Sequence, residues 1–188
     1  MSQRNAVYSG VVVTSRDPRG LGRVKVSMPA FEEERWARRA SPAAGDRRGT
    51  WFVPEAGDEV LVAFEGGEPR RPVVVGGLWN ARQRPPESNP ERAVLKTKHG
   101  ATIVLDDSAG AVEVSDANGN SVTLNPSGIT ITAAGNVRVS GAAKVEIEAS
   151  MVEVNAGIAS FSGVVRCDSL VTNSVISSSY TPGAGNIW

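Results

Sequence analysis

The chain has 188 residues with twenty basic and twenty acidic side chains, so its net charge is zero, which argues against a polycation that seeks nucleic acid. One cysteine and one histidine exclude an internal disulfide framework, a cysteine-based zinc site and a histidine cluster within one chain. No apolar run approaches the ~20 residues of a membrane span, and the start lacks the apolar core of a signal peptide. We therefore expect synthesis in the cytoplasm and few residues suited to catalysis.

The composition changes near residue 90. Residues 1–95 hold 15 Lys and Arg and 12 Asp and Glu, whereas residues 96–188 hold 5 and 8. The stretch 81–90 is rich in proline and charge, which disfavours both helix and central strand. The predicted division is a barrel domain over residues 1–82, a linker over 83–95, a shaft over 96–176 and an uncharged tip segment over 177–188.

The first region predicts an all-β barrel. Runs of β-favouring residues at 8–14, 22–28, 60–64 and 71–79 are separated by turns that contain Gly, Pro and Asp. In the second run Val24, Val26 and Met28 alternate with polar residues, as in a strand with one buried face. The charged stretch 32–39 suggests a short helix or a mobile loop. Together these elements fit a partly open five-stranded barrel of the OB type.

One group of basic and aromatic residues in this region has two interpretations. A single-stranded nucleic-acid site would place such residues on one exposed face, and the members here are Trp36, Arg38, Arg39, Arg47, Arg48 and Trp51. The alternative is that the arginines are solvated or meet a partner protein while aromatic side chains fill the barrel: Trp51, Phe52, Phe64 and Trp79. We favour the second interpretation and expect no nucleic-acid partner, because an excess of three basic residues is small for such a domain.

The second region carries a repeat of apolar pairs whose members are separated by one residue. The pairs are Ile103/Leu105, Val112/Val114, Val122/Leu124, Ile129/Ile131, Val137/Val139, Val145/Ile147 and Val152/Val154. Short strands joined by tight corners every seven or eight residues are typical of stacked β-helix rungs. Each pair would then point inward while residues such as Arg138 and Glu146 face water. The predicted core of the shaft is Ile129, Ile131, Val137, Val139, Val145, Ile147, Val152 and Val154.

A single chain has too little apolar surface for such a shaft. Eight residues supply one side of a triangular prism, and two apolar side chains bury too little to offset the ordering of eight residues. Three identical chains wound together would supply all three sides and pair every strand edge. We therefore predict a C-terminal, intertwined, triple-stranded β-helix in a homotrimer. A single-chain solenoid with irregular turns remains an alternative.

Two motifs resemble those of a known family. Pro54-Glu-Ala-Gly-Asp-Glu-Val-Leu-Val-Ala-Phe64, followed by a Gly-x-x-x-Arg-Pro-Val-Val-x-Gly-x-x-x-Asn pattern that ends at Asn80, resembles the OB domain of spike proteins of contractile injection systems. This family comprises the phage baseplate assembly protein V and VgrG-like spikes. His99-Gly-Ala-Thr-Ile-Val-Leu-Asp-Asp107 is similar to the stretch that opens the family's β-helix.

The resemblance implies a structural, non-enzymatic trimeric spike. In the family, the OB domains join the tail hub and baseplate proteins, and the β-helix punctures the target cell envelope when the tail contracts. The implied location is an assembled tail or injection particle, and the residues leave open which kind of particle. Two other classes stay open, namely an OB-fold protein that binds single-stranded nucleic acid and a β-helical glycan-binding adhesin.

Other residues that could carry chemistry have simpler interpretations. Asp106, Asp107 and Asp116 could bind calcium, but turn residues between strands are the favoured interpretation. His99 is expected in a loop at the entry to the shaft. We expect no catalytic residue, no cofactor and no metal. The uncharged end favours docking of a PAAR-type tip protein, with the docking residues Tyr180, Ile187 and Trp188.

Overall fold

Strands make up almost all of the regular structure. The computed structural model describes residues 6–178, and within them the only helical elements are two three-residue 3₁₀ turns, Pro29–Phe31 and Glu65–Gly67. The chain divides into two compact units, Met1–Val137 and Arg138–Trp188. Within the described range, no helix has the length and apolar character that crossing a bilayer would require. The prediction of an all-β protein is confirmed.

A closed five-stranded barrel forms the N-terminal part. The strands of this part are β1 Tyr8–Thr14, β2 Val24–Met28, β3 Glu33–Arg39, β4 Ala44–Gly45, β5 Arg48–Gly49, β6 Glu59–Phe64 and β7 Pro72–Gly77. The barrel order is β1-β2-β3-β7-β6, and β4 and β5 form a separate short hairpin. Neighbouring barrel strands are antiparallel except β3 and β7, which are parallel. The predicted barrel is therefore present, and it is closed where the sequence suggested a partly open one.

Small aliphatic side chains fill the barrel. The alternation of Val24, Val26 and Met28 is confirmed, because all three are fully buried. The buried core consists of Val12, Val24, Val26, Met28, Ala37, Val60, Val62, Phe64 and Val74. Of the four aromatic residues expected inside, only Phe64 is buried, so that prediction is wrong for the other three, Trp51, Phe52 and Trp79, which lie at the surface. The interior of a five-stranded barrel is narrow, and the Val and Met side chains that fill it leave no room for three more large rings.

The charged stretch that the sequence suggested as a helix or loop is strand β3. Its charges pair with neighbours instead of facing only water, since Lys25 Nζ lies 2.5 Å from Glu34 and Arg35 lies 2.6 Å from Glu33. Ala37, the one small apolar residue of the strand, points into the core opposite Val24. Local charge density is therefore a poor guide here, because ion pairs along β3 and across to β2 accommodate the charges within a sheet.

A second sheet follows the barrel. Its strands are β8 Arg92–Lys96, β9 Thr102–Asp106, β10 Ala111–Ser115, β11 Ser121–Asn125 and β12 Gly128–Thr132. They pair in sequence order and all antiparallel. Gly100, Gly110, Gly119 and Gly128 all have a positive φ at or beside the reversals, so each connection is a hairpin turn. The first apolar pairs thus lie in an antiparallel meander, and the β-helix predicted from residue 96 is not seen over this stretch of a single chain.

Residues 133–178 contain no helix and no strand. All but Ala133 are exposed, including every apolar pair predicted for this stretch. The backbone hydrogen bonds that strands would make with neighbours are therefore missing from one chain taken alone.

Candidate functional site

The meander presents one entirely apolar face. Residues directly opposite each other in the strand register share a face of the sheet, and two such rows cross all five strands. The first row is Ala93, Leu105, Val112, Leu124 and Ile129, and the second row is Leu95, Ile103, Val114, Val122 and Ile131. We call these ten residues the apolar face.

The apolar face is exposed in the single chain. Its eight largest exposed members are 36–70% accessible, and the two residues of β12 are the most exposed of them. Contiguous apolar patches of this kind on a folded domain mark surfaces that bind another protein, a membrane or a ligand. The sequence had identified four of the five pairs, and their members do share a face. It missed Ala93 and Leu95, because both fall in the stretch 83–95 that was predicted to be a linker, whereas the structure begins β8 at Arg92.

A hydrogen-bonded carboxylate holds the start of the meander. Asp106 at the end of β9 is 7% exposed and accepts hydrogen bonds from Arg92 Nε at 2.6 Å, Ser108 Oγ at 2.6 Å and the Ala109 amide at 2.9 Å. These donors favour the charged carboxylate, so Ser108 first, then Ala109 and Arg92, lower the pKa of Asp106 to about 2. Arg92 also lies 3.4 Å from Glu87 of the preceding stretch.

Asp116 is a second hydrogen-bonded carboxylate, and it holds the turn between β10 and β11. Its Oδ1 accepts hydrogen bonds from the backbone amides of Asn118 and Asn120, and its Oδ2 accepts from their side-chain amides. These four donors hold the pKa of Asp116 well below its usual range. Asp116 lies between strands as the sequence indicated, whereas Asp106 is the last residue of β9 and its side chain binds the turn that follows. Within residues 6–178, no group of three or more His, Cys, Asp or Glu side chains has an arrangement that could hold a metal ion.

The predicted shaft core lies on the surface of one chain. Ile129 and Ile131 belong to the apolar face, and the other six follow it along the sequence. The exposed fractions of these side chains run from 54% to 74% for Ile129, Ile131, Val137, Val139, Val145, Ile147, Val152 and Val154. The predicted docking residues Tyr180, Ile187 and Trp188 lie outside the described residues.

Two family models match most of the chain. The first, described as the type VI secretion system/phage-baseplate injector OB domain, matches residues 8–79, which span β1 to β7. The second, described as the phage baseplate V C-terminal trimerisation domain, matches residues 92–159. The chain belongs to the baseplate spike family. In this spike chain, the trimerisation match begins with β8 and contains the whole apolar face and all eight predicted shaft residues.

Curated relatives of the spike chain match part of it and are much longer proteins. The type VI secretion system spike protein VgrG2a of Pseudomonas aeruginosa is 36% identical over 83 residues, which cover 40% of this chain and 10% of that protein. VgrG3 of Vibrio cholerae is 33% identical over 88 residues, covering 42% and 9%. The actin cross-linking toxin VgrG1 of Vibrio cholerae is 32% identical over 87 residues, covering 41% and 8%. The spike chain matches about a tenth or less of each relative.

Proposed function

We propose that this chain is a structural, non-enzymatic subunit of a homotrimeric spike in a contractile tail or phage-like injection particle. The observation that carries the proposal is a run of apolar side chains at the surface. It begins with the apolar face, which is exposed at every residue except the half-buried Val112, and it continues through Val137 to Val154. A stable monomer would not leave so many Val, Ile and Leu side chains in water, since each gains about 1.5–3 kcal/mol on burial. Residues 92–159 match a trimerisation domain, which supports the proposal that other copies of the chain cover these side chains in a trimer.

In the proposed trimer the stretch 133–176 forms an intertwined β-helix. The alternation of apolar and polar residues at Val137–Val139 and Val145–Ile147 is that of strands with one buried face. Strand partners for these segments come from the other two chains, which also remove the open edge at β12. The shaft then has a dry Val and Ile interior and an outer face with residues such as Arg138 and Glu146.

The barrel has the complementary role of joining the spike to the tail hub and baseplate. The barrel matches the injector OB domain, and it exposes three aromatic side chains, Trp51, Phe52 and Trp79. Both observations support the proposal that other proteins cover part of its surface. In the assembled particle, contraction drives the shaft through the envelope of the target cell. The uncharged end would carry a PAAR-type tip protein. No reaction is proposed for the chain, and the toxin activity in the name of one relative is not carried over from a match over 8% of that protein.

Hydrogen exchange and light scattering together test this proposal. We expect a mass of about 59 kDa, three times the 19.7 kDa of one chain, and slow exchange of the backbone amides of residues 133–176. A 19.7 kDa particle would refute the trimer. A trimer with fast exchange over 133–176 would refute the β-helix while leaving the trimerisation surface in place.

A further inference from the structure

A cleft with strongly basic walls opens on the barrel, apart from the apolar face. Its volume is about 680 Å³, and it is bounded by the turn 20–22, the end of β3, the β4–β5 hairpin and Trp51. Four arginines line it: Arg38, Arg39, Arg47 and Arg48. No acidic side chain of the described chain lines this cleft, which we call the basic cleft.

Hydrogen bonds among its own residues fix the outer wall of the basic cleft. Ser41 Oγ donates to the carbonyl oxygens of Ala43 and Thr50 as alternative acceptors, both at 2.9 Å, and the Thr50 amide donates to Ala43 O at 3.0 Å. Gly49 has a φ of 138°, and a Cβ there would collide with Ala43 O. Because these hydrogen bonds need no ligand, the hairpin that carries Arg47 and Arg48 is already formed in the free protein.

The inner wall is built from Arg39 and Trp51. The Arg39 guanidinium lies 4.7 Å from the centre of the Trp51 ring and donates a hydrogen bond to Phe52 O at 2.7 Å. Gly22 also lies against the ring, since a Cβ there would be 3.0 Å from it. Trp51 is nevertheless 70% exposed. An exposed indole beside the fixed guanidinium group of Arg39 offers a ligand both apolar contact and charge.

The charge of the basic cleft is only partly neutralised. Arg38 pairs with Glu65 at 3.2 Å, and Glu65 does not line the cleft. Arg47 and Arg48 are exposed, and within the described residues neither has a carboxylate partner. Guanidinium groups bind carboxylates and phosphates with two parallel hydrogen bonds, so a cluster of four arginines suits a ligand that carries several anionic groups.

We propose that the basic cleft binds an acidic peptide segment of another protein. The acidic side chains Glu33 and Glu34 of this chain are already engaged, since Glu33 pairs with Arg35 and Glu34 with Lys25. We take the occupant to be a segment of a different protein, and the identification of that protein as another component of the injection particle rests on the proposed function.

A single strand of nucleic acid fits the basic cleft less well. Such strands bind by stacking successive bases on several aromatic rings. The cleft has one ring, Trp51, and one of its faces is held by Arg39. Trp36 lines a different cleft, where the Arg23 guanidinium lies 5.3 Å from its ring.

Fluorescence anisotropy with the full chain tests the proposal. The probes are fluorescein-labelled peptides of six glutamates and of alternating serine and glycine, and a labelled twelve-residue oligothymidylate. The test variant is Arg47→Gln with Arg48→Gln. The control is Arg82→Gln with Arg84→Gln, which removes the same charge from two exposed arginines outside the basic cleft. We expect hexaglutamate binding to weaken roughly three- to thirtyfold in the test variant and less than about twofold in the control.

The expected binding is also weaker at high ionic strength, because the guanidinium groups of Arg47 and Arg48 are exposed. The proposal is overturned if hexaglutamate does not bind at low salt, if both double variants lose affinity equally, or if the oligothymidylate binds more tightly than hexaglutamate with the same dependence on Arg47 and Arg48. Light scattering on the same samples reports the trimer separately. A monomer that binds hexaglutamate would contradict the proposed function but would agree with the proposal that the basic cleft binds acidic peptides.

Discussion

Replacing Ile147 by alanine distinguishes a residue of a trimer core from a surface residue. In one chain Ile147 is 73% exposed and lies between two glutamates. Truncating a side chain in that position changes the free energy of unfolding by about 0.5 kcal/mol or less. If three chains bury it, each copy loses most of its transfer free energy and leaves a cavity, which costs about 2–5 kcal/mol per chain. The substitution is then present three times in every trimer.

Glu146→Ala is the matched control because the neighbouring residue of a strand points to the opposite face. Its carboxylate lies 2.6 Å from Lys144 Nζ, and both groups are exposed, so the loss is at most about 1 kcal/mol. The assay is guanidinium unfolding at several protein concentrations, with light scattering at the start of each series. We expect Ile147→Ala to lower the midpoint clearly, Glu146→Ala to leave it nearly unchanged, and all midpoints to rise with concentration. Equal, small shifts for both variants would refute burial of Ile147.

Three further predictions concern the barrel and the meander. The pKa of Asp106 is lowered from 3.8 to about 2, so its contribution to stability is present above pH 3.8 and disappears as the pH falls toward 2; Asp106→Asn should flatten the pH dependence of Tm in that window. Met28 is fully buried, so Met28→Ala should cost about 2–5 kcal/mol in barrel unfolding without changing the light-scattering mass. Arg39→Lys should change the near-ultraviolet circular dichroism of Trp51 and cost about 0.5–2 kcal/mol, and an unchanged spectrum would contradict the stacking.

The strands of the barrel could be predicted where apolar and polar residues alternate, and not where charged residues dominate the stretch. Val24, Val26 and Met28 have the period of two that a strand requires, and they are buried. The stretch of β3 has only Ala37 on the buried side among long charged residues, so its strand character depends on partners outside the stretch, such as Lys25 of β2. The surface position of Trp51 could not be read locally either, because it depends on how little space the closed barrel leaves.

The apolar face shows what a pair repeat can and cannot reveal. A spacing of one residue places both members of a pair, such as Val112 and Val114, on one side of a strand in any β arrangement. The same spacing, with glycine between the pairs, fits a stacked rung and a hairpin equally well. The choice depends on whether the chain reverses at each corner, and Gly110 and Gly119 with positive φ make it do so. The pairs past residue 133 lie in no strand of the single chain, so neither arrangement is seen for them.

The turn carboxylates explain why the apolar face is complete. A slip of one residue in any hairpin would turn one strand over and place polar residues among the apolar ones. Asp116 opposes such a slip, because its four hydrogen bonds to Asn118 and Asn120 define one turn length. Asp106 opposes a slip between β8 and β9 by binding Arg92, and it holds the turn after β9 by binding Ser108. Asp106 and Asp116, two of the three carboxylates that the sequence offered as possible metal ligands, therefore set the register, and that register places ten apolar side chains on one face of the sheet.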